Sequence, residues 1–420
     1  NFFKVYANDN KTEFMMGEPN IKFDLYLKSS NEKFTTITTD SNGYANTIIP
    51  YGTYVVKQVN VSKDHEKIDD FEIVIDKSGE TINKIISNAE IVAKLKVIKI
   101  DKDTGEVIKR SNIKFKIYDV INKKYISQTI TYPKAQTIDV FETDSNGILI
   151  TPYVLNSGTY RLEEVDQKID GYLWNKESVE FSIGENAELI TDNEFGILFE
   201  VKFENKAVTG KVEIIKKGET VELTKDGYVY NKVNLEGVKI GLYASEDIYD
   251  TLGNLKYKKN SLVTELITNE EGYAYAENLY LGKYYLQEIE TVSDHVLDSK
   301  KYNFNLEYKD QYTEVVSYNT TLKNHLPSGK LVFSKTDFST DEGLPLTLVE
   351  IYNEKDELVY SGRTDESGKI IIDRLPIGKY YILEKEAPEG YELNEEKMWF
   401  EVKEDGEVVK SNMKDKRIIE

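Results

Sequence analysis

TDSNGILITPYVLNSGTYRLEE, residues 143–164, reads as a turn, a strand, a second turn and a second strand in unbroken succession. Asp144 to Gly147 is a β-turn signal: an Asp side chain bonds the backbone two residues on, and Gly takes the positive φ that closes the turn. From Gly158 the pattern Gly-x-Tyr-x-Leu-x-Glu alternates, so Tyr160, Leu162 and Glu164 share one face of a strand. The block recurs as TDSNGYANTIIPYGTYVVKQ at 39–58, TNEEGYAYAENLYLGKYYLQE at 268–288 and TDESGKIIIDRLPIGKYYILE at 364–384. Such self-similarity marks a tandem array. Asp-x-x-Gly also opens some calcium loops, but the further ligands and the closing Glu of an EF-hand are missing, so a plain turn is expected.

Upstream of each block stands a second shared strand: NIKFDLYL from Asn20, NIKFKIYD from Asn112, GVKIGLYA from Gly237 and LVEIYN from Leu348. Further upstream lies the strand that opens each copy: FFKVYAND from Phe2, LKVIKID from Leu95, VEIIKKG from Val212 and LVFSKTD from Leu331. Three copies close with a strand ending in Asn88, Asn205 or Asn324, and the fourth closes at Asp415. The chain therefore divides into modules 1–92, 93–209, 210–328 and 329–420, joined by linkers short enough for a semi-rigid string. Alternating strands, closely spaced turns and no 3.6-residue period predict an all-β chain of four tandem β-sandwich modules of about 100 residues each.

Composition narrows the function. A net charge of −20 repels nucleic acid, and no Lys/Arg-rich run offsets it. The absence of Cys excludes disulfides, thiol nucleophiles and Cys-based metal sites. His65, His295 and His325 lack metal-ligand spacing, so neither a metal nor a cofactor is expected. No run of 18 or more apolar residues is present, and no membrane insertion is expected of this fragment. The chain begins at Asn1 inside its first strand and reads as a piece of a longer protein, so missing targeting signals carry no information on location.

Three kinds of polar residue fall on faces that should be buried. Lys99 follows Leu95 and Val97, Lys216 follows Val212 and Ile214, and Lys335 follows Leu331 and Phe333, each at alternate positions. Glu164, Glu288 and Glu384 end the apolar faces of the Gly-x-Tyr strands. Asn205, Asn324 and Asp415 end those of the closing strands. A buried ion pair is a weak choice energetically, because desolvating two charges costs several kcal/mol that their attraction barely recovers. Chemistry gives a better reason for the pattern. An apolar site favours the neutral amine and the neutral carboxylic acid. A neutral Lys is a nucleophile, and a protonated Glu polarises the Asn or Asp carbonyl and shuttles protons. The product is a Lys–Asn or Lys–Asp isopeptide bond, with ammonia or water released, in one turnover and without a cofactor.

The chain resembles the CnaB-type (SpaA-like, prealbumin-like) repeat domains of Gram-positive pilins and surface adhesins. The resemblance rests on Lys99-Ile100-Asp101 and Lys335-Thr336-Asp337, the Gly-x-Tyr-x-Φ-x-Glu strands, and Ala387-Pro388-Glu389-Gly390-Tyr391. It implies inverse immunoglobulin-like sandwiches, an isopeptide bond between first and last strands, and sortase-mediated display on the cell wall. It carries over Lys99, Glu164 and Asn205 as one triad, Lys216, Glu288 and Asn324 as a second, and Lys335, Glu384 and Asp415 as a third. Module 3 departs by an insertion near 218–235 and by Lys217-Gly218 where the acidic residue usually stands. Module 1 departs further: a gapless alignment sets Ala7 at the Lys position and Gln58 at the Glu position, and leaves Lys4 facing outward. No bond is expected there.

The expected function is a structural stalk or pilin-like segment on the extracellular, cell-wall-attached surface of a Gram-positive bacterium, its partners being the neighbouring modules. The alternative is an adhesin module, with divergent module 1 contacting host extracellular matrix such as collagen. A turnover enzyme is not expected. Thr131-Tyr132-Pro133-Lys134 resembles the pilin motif whose Lys joins the next subunit, but its position between two strands reads as an ordinary loop.

Overall fold

The computed structural model describes residues 1–7, 14–292 and 294–419. Asn8 and Asp9, at the end of the expected first opening strand, lie outside them. Every regular element described is a β-strand, in keeping with a Tyr-, Ile- and Val-rich chain. The chain forms two compact units, Asn1–Ala207 with Asp310–Tyr312, and Val208–Lys309 with Thr313–Glu420. Each unit holds two sandwiches in chain order.

All four sandwiches share one plan. In one sheet the opening strand lies at the centre: Phe2–Ala7, Lys94–Asp101, Thr209–Thr224 or Ser328–Asp337. The first strand of the repeated block pairs antiparallel on one side of it, and the closing strand pairs parallel on the other. In the other sheet the second shared strand lies antiparallel beside the Gly-x-Tyr strand, as Lys114–Asp119 does beside Gly158–Glu164. Its register is the same throughout, with Phe23 opposite Gln58, Phe115 opposite Glu164, Ile240 opposite Glu288 and Val349 opposite Glu384. Alternation then turns one face of each sheet inward. In the second sandwich Leu95, Val97 and Phe203 face Phe115, Ile117 and Leu162, all fully buried, and the Phe115 and Phe203 rings meet edge-on at 5.1 Å. Equivalent two-sheet cores fill the first, third and fourth sandwiches.

The repeated block earns its recurrence through two local devices. The turn Asp or Asn accepts two backbone N–H bonds, as Asp144 does from Asn146 at 2.9 Å and Ile148 at 3.1 Å. Its Gly sits at positive φ, +73° at Gly147, where an added Cβ would stand 2.0 Å from the Ile108 carbonyl oxygen. Only Gly lets the turn lie this close to the chain leaving the opening strand. The Tyr of each Gly-x-Tyr strand donates its hydroxyl proton to the carbonyl four residues upstream: Tyr54 to Pro50, Tyr160 to Asn156, Tyr284 to Tyr280 and Tyr380 to Pro376. This pins the second turn to the strand it feeds.

The expected insertion of the third module is a hairpin, Thr209–Thr224 running on into Gly227–Asn234. It packs on the fourth sandwich through Leu223 and Tyr228. Arg374 makes a bidentate pair with Glu219 at 2.9 and 3.0 Å and stacks on Tyr230, 3.6 Å from the ring centre. Within that unit the two modules are braced side to side as well as linked end to end. The segment 131–134 is a loop between Gln128–Ile130 and Gln136–Ile138, as expected.

Candidate functional site

Each of the last three sandwiches encloses a Lys, a Glu and an Asn or Asp, delivered by three different strands. Lys99, Lys216 and Lys335 are wholly buried on the opening strands. The parallel pairing sets Lys99 beside Phe203, Lys216 beside Leu322 and Lys335 beside Met413. Asn205, Asn324 and Asp415 follow two residues later on the same inward face, each 3% exposed or less. Glu164, Glu288 and Glu384 come across from the opposite sheet.

In the second module Lys99 Nζ lies 3.9 Å from Glu164 Oε1 and donates to the Phe203 carbonyl at 3.2 Å. Asn205 Nδ2 donates to Glu164 Oε2 at 3.0 Å and to the Leu173 carbonyl at 2.7 Å. Asn205 Oδ1 and Glu164 Oε1 make no hydrogen bond. In the third module Lys216 Nζ lies 2.6 Å from Glu288 Oε2 without hydrogen-bond alignment. Asn324 Nδ2 donates to Glu288 Oε1 at 2.7 Å, Thr291 Oγ1 at 3.1 Å and the Val296 carbonyl at 2.8 Å, leaving its own Oδ1 without a hydrogen bond. In the fourth, Lys335 Nζ lies 3.2 Å from Glu384 and also contacts Asp415 Oδ1.

These contacts are poor as a finished polar network. A buried polar atom left without a hydrogen bond costs about 1–3 kcal/mol, and the orphaned atoms recur at the same side chains. They suit reactants better. In both Asn sites the amide nitrogen is held by Glu and a backbone carbonyl, while the carbonyl oxygen stays open. Burial pulls the Lys99 ammonium down to about 8 against the attraction of Glu164. Burial also pushes the Glu164 carboxyl up, opposed by Lys99, Asn175 and Asn205. Glu384 rises to about 7 through burial and its neighbour Asp415. Neutral amine and protonated acid are the forms that amide formation uses.

Sequence reasoning missed the supports of these groups. The backbone N–H of Asn175 donates to Glu164 Oε2 at 2.9 Å, and that of Asn394 to Glu384 Oε2 at 2.7 Å. Tyr172 and Tyr391 donate to Asp101 and Asp337, each at 2.8 Å. Those carboxylates also cap the turns that follow the opening strands. The signal was present as Gly171-Tyr172-x-x-Asn175 and Gly390-Tyr391-x-x-Asn394.

The first module corrects the alignment given above. Lys4 faces inward, wholly buried, and pairs with the buried Glu18 at 2.5 Å. Lys4, not Ala7, occupies the position of Lys99, Lys216 and Lys335: its N–H donates to the Gly43 carbonyl as theirs do to Gly147, Gly272 and Gly368. The segment between the opening strand and Phe23 is longer than a gapless count allows, because the chain turns back in Phe14–Gly17 to pair with the opening strand. Gln58 stands at the Glu position, as expected.

The fold and its sites therefore define a tandem array of two-sheet sandwiches, three of which bury a Lys, a Glu from the Gly-x-Tyr strand and an Asn or Asp. The family model described as SpaA, prealbumin-like fold domain, matches residues 93–194, 219–321 and 329–417, more than half of the chain, and the chain belongs to that family. Among solved structures, the Bacillus anthracis TIE protein is similar over 99% of this chain and 74% of its own, with 20% identity and a TM-score of 0.47. BcpA, the major pilin subunit of Bacillus cereus, is similar over 78% of this chain and 100% of its own, at 12% identity and a TM-score of 0.36. The shaft pilin SpaA of Lactobacillus rhamnosus GG is similar over 50% of this chain and 99% of its own, at 14% identity and a TM-score of 0.23. No curated protein sequence matches the chain.

Proposed function

We propose that the chain is a load-bearing stalk or pilin-like segment of a Gram-positive, cell-wall-attached surface protein. Its modules are 1–92, 93–209, 210–328 and 329–420, and the last three are locked by self-made isopeptide bonds. The observation that carries this reading is the recurrence, in three cores, of Lys, Glu and Asn or Asp on the same strands and in the same register. Lys Nζ attacks the side-chain carbonyl carbon, the Glu carboxyl relays a proton to the leaving group, and ammonia or water departs. The reactants are consumed, so the chemistry is a maturation step and not turnover.

The test is the intact mass under denaturing conditions. Two Lys–Asn bonds and one Lys–Asp bond lower it by about 52 Da relative to the sequence, with linked peptides at Lys99–Asn205, Lys216–Asn324 and Lys335–Asp415. An unshifted mass removes the covalent chemistry.

A pH test addresses the second module alone. Asn205→Ala leaves Lys99 unlinked and buried. Its folded value of about 8 lies below the ordinary 10.5, so between those values the unfolded chain binds more protons. Stability of that module then rises with pH across this window, by on the order of 3 kcal/mol. Calorimetric melting from pH 8 to 10.5 reads the rise. Adding Lys99→Met removes the titrating amine and should abolish it.

A further inference from the structure

The first module departs from its sisters at two side chains that bear directly on the reaction. Its backbone register is theirs. Lys4 pairs with Ile86 across the parallel strands, and Asn88 follows two residues later, as Asn205 follows Phe203. Gln58 stands opposite Phe23 as Glu164 stands opposite Phe115. The carbonyl of the opening-strand Lys accepts an N–H from Glu18 at 2.8 Å, from Ile108 at 2.8 Å, from Leu235 at 3.0 Å and from Leu344 at 2.8 Å in the four modules. Glu18 thus occupies a position that elsewhere holds a buried aliphatic side chain.

Both exceptions act against amide formation. Glu18 lies 2.5 Å from Lys4 Nζ and also accepts the Ser62 hydroxyl, an ion pair that engages the amine with Glu18. Gln58 and Asn88 clasp each other, Gln58 Nε2 donating to Asn88 Oδ1 at 3.0 Å and Asn88 Nδ2 donating to Gln58 Oε1 at 2.8 Å. Asn88 Nδ2 also donates to the Glu66 carbonyl at 2.7 Å. The acceptor oxygen left open in Asn205 and Asn324 is occupied here, and the amide at position 58 offers no acidic proton to relay.

We infer that the first module carries both reactants of a diverted cross-linking site, Lys4 and Asn88, kept unreacted by Glu18 and Gln58. This rests on the isopeptide reading of the other three modules. The diverted site gives the chain one module closed by hydrogen bonds and an ion pair beside three closed covalently. In the restored reaction the Lys4 Nζ–Asn88 Cγ bond forms and the Cγ–Nδ2 bond breaks. A carboxyl at position 58 carries a proton from the amine to the departing ammonia, and no oxidant or other reactant enters.

The experiment compares the full chain with its Gln58→Glu/Glu18→Leu variant by intact mass and peptide mapping. Wild-type chain should yield unlinked peptides containing Lys4 and Asn88. The double variant should lose about 17 Da more than its sequence change accounts for and yield a Lys4–Asn88 linked peptide. A linked peptide in the wild type, or a folded double variant without one, overturns the inference. Glu18→Leu alone guards against a misfolded double variant: it strips a buried ammonium of its counter-ion, so the lowest melting transition should fall with no change in linkage. An unmoved transition overturns the role given to Glu18. The same spectra report the other three bonds. Their absence overturns the general reading, and their presence without the fourth in the folded double variant overturns only this one.

Discussion

Stretched from its two ends, the chain should give a single large unfolding step of about 300 Å, the contour length of residues 1–92 at about 3.4 Å per residue, and no comparable step from residues 93–420. Tension enters a module on its opening strand and leaves on its closing strand, which lie side by side and parallel. The proposed bond from Lys99 to Asn205 would carry the load across that pair, so the chain between them would not be pulled. In the first module the same load rests on hydrogen bonds between Phe2–Lys4 and Lys84–Ile86, a shorter pairing than Lys94–Asp101 makes with Leu198–Asn205. Glu164→Ala removes the proton relay of the second module and should add a second step of about 350 Å. Single-molecule force spectroscopy counts the steps. Several large steps in the wild type would mean that the bonds do not form.

The inward Lys, Glu and Asn residues were legible because strand alternation is strict and the repeated block fixes which face is buried. Leu95, Val97 and Lys99 needed only a period of two. Lys4 was misplaced for a physical reason. Its position is set by the turn that packs against it, through the Gly43 carbonyl. Counting along the connection to Phe23 misses this, because that connection makes an excursion in the first module and a hairpin in the third. Lys4 stands opposite the residue two before Asn88, as Lys99 does before Asn205, but that pairing shows only in the fold because the spacing from Lys to closing residue differs in every module. Glu18 was beyond reach, because nothing local marks it as buried; only the sister positions Ile108, Leu235 and Leu344 do. The Asn175 and Asn394 supports reach the Glu through backbone N–H groups, so only the repeated Gly-Tyr-x-x-Asn spacing, and not the side-chain chemistry at the Glu, could have pointed to them.

Replacing Lys216 by Met and Glu288 by Leu separates a covalent site from a buried ion pair by the sign of its effect. If the third module holds only an ion pair, apolar residues of similar volume relieve two desolvated charges and leave stability unchanged or raise it by about 1–4 kcal/mol. If Lys216 is bonded to Asn324, the exchange releases a closed loop of about 100 residues, whose constraint on the unfolded chain is worth about 4.7 kcal/mol by analogy with disulfides. The module's melting transition should then fall by roughly 20 °C, and the mass deficit should shrink by about 17 Da. Glu288→Ala should fall further. It also leaves the module unlinked, and it strands the Lys216 amine in an apolar core, where breaking a buried pair costs about 3–5 kcal/mol. The covalent reading therefore orders the proteins as wild type, then Lys216→Met/Glu288→Leu, then Glu288→Ala. The ion-pair reading exchanges the first two, and differential scanning calorimetry of the three chains decides between them.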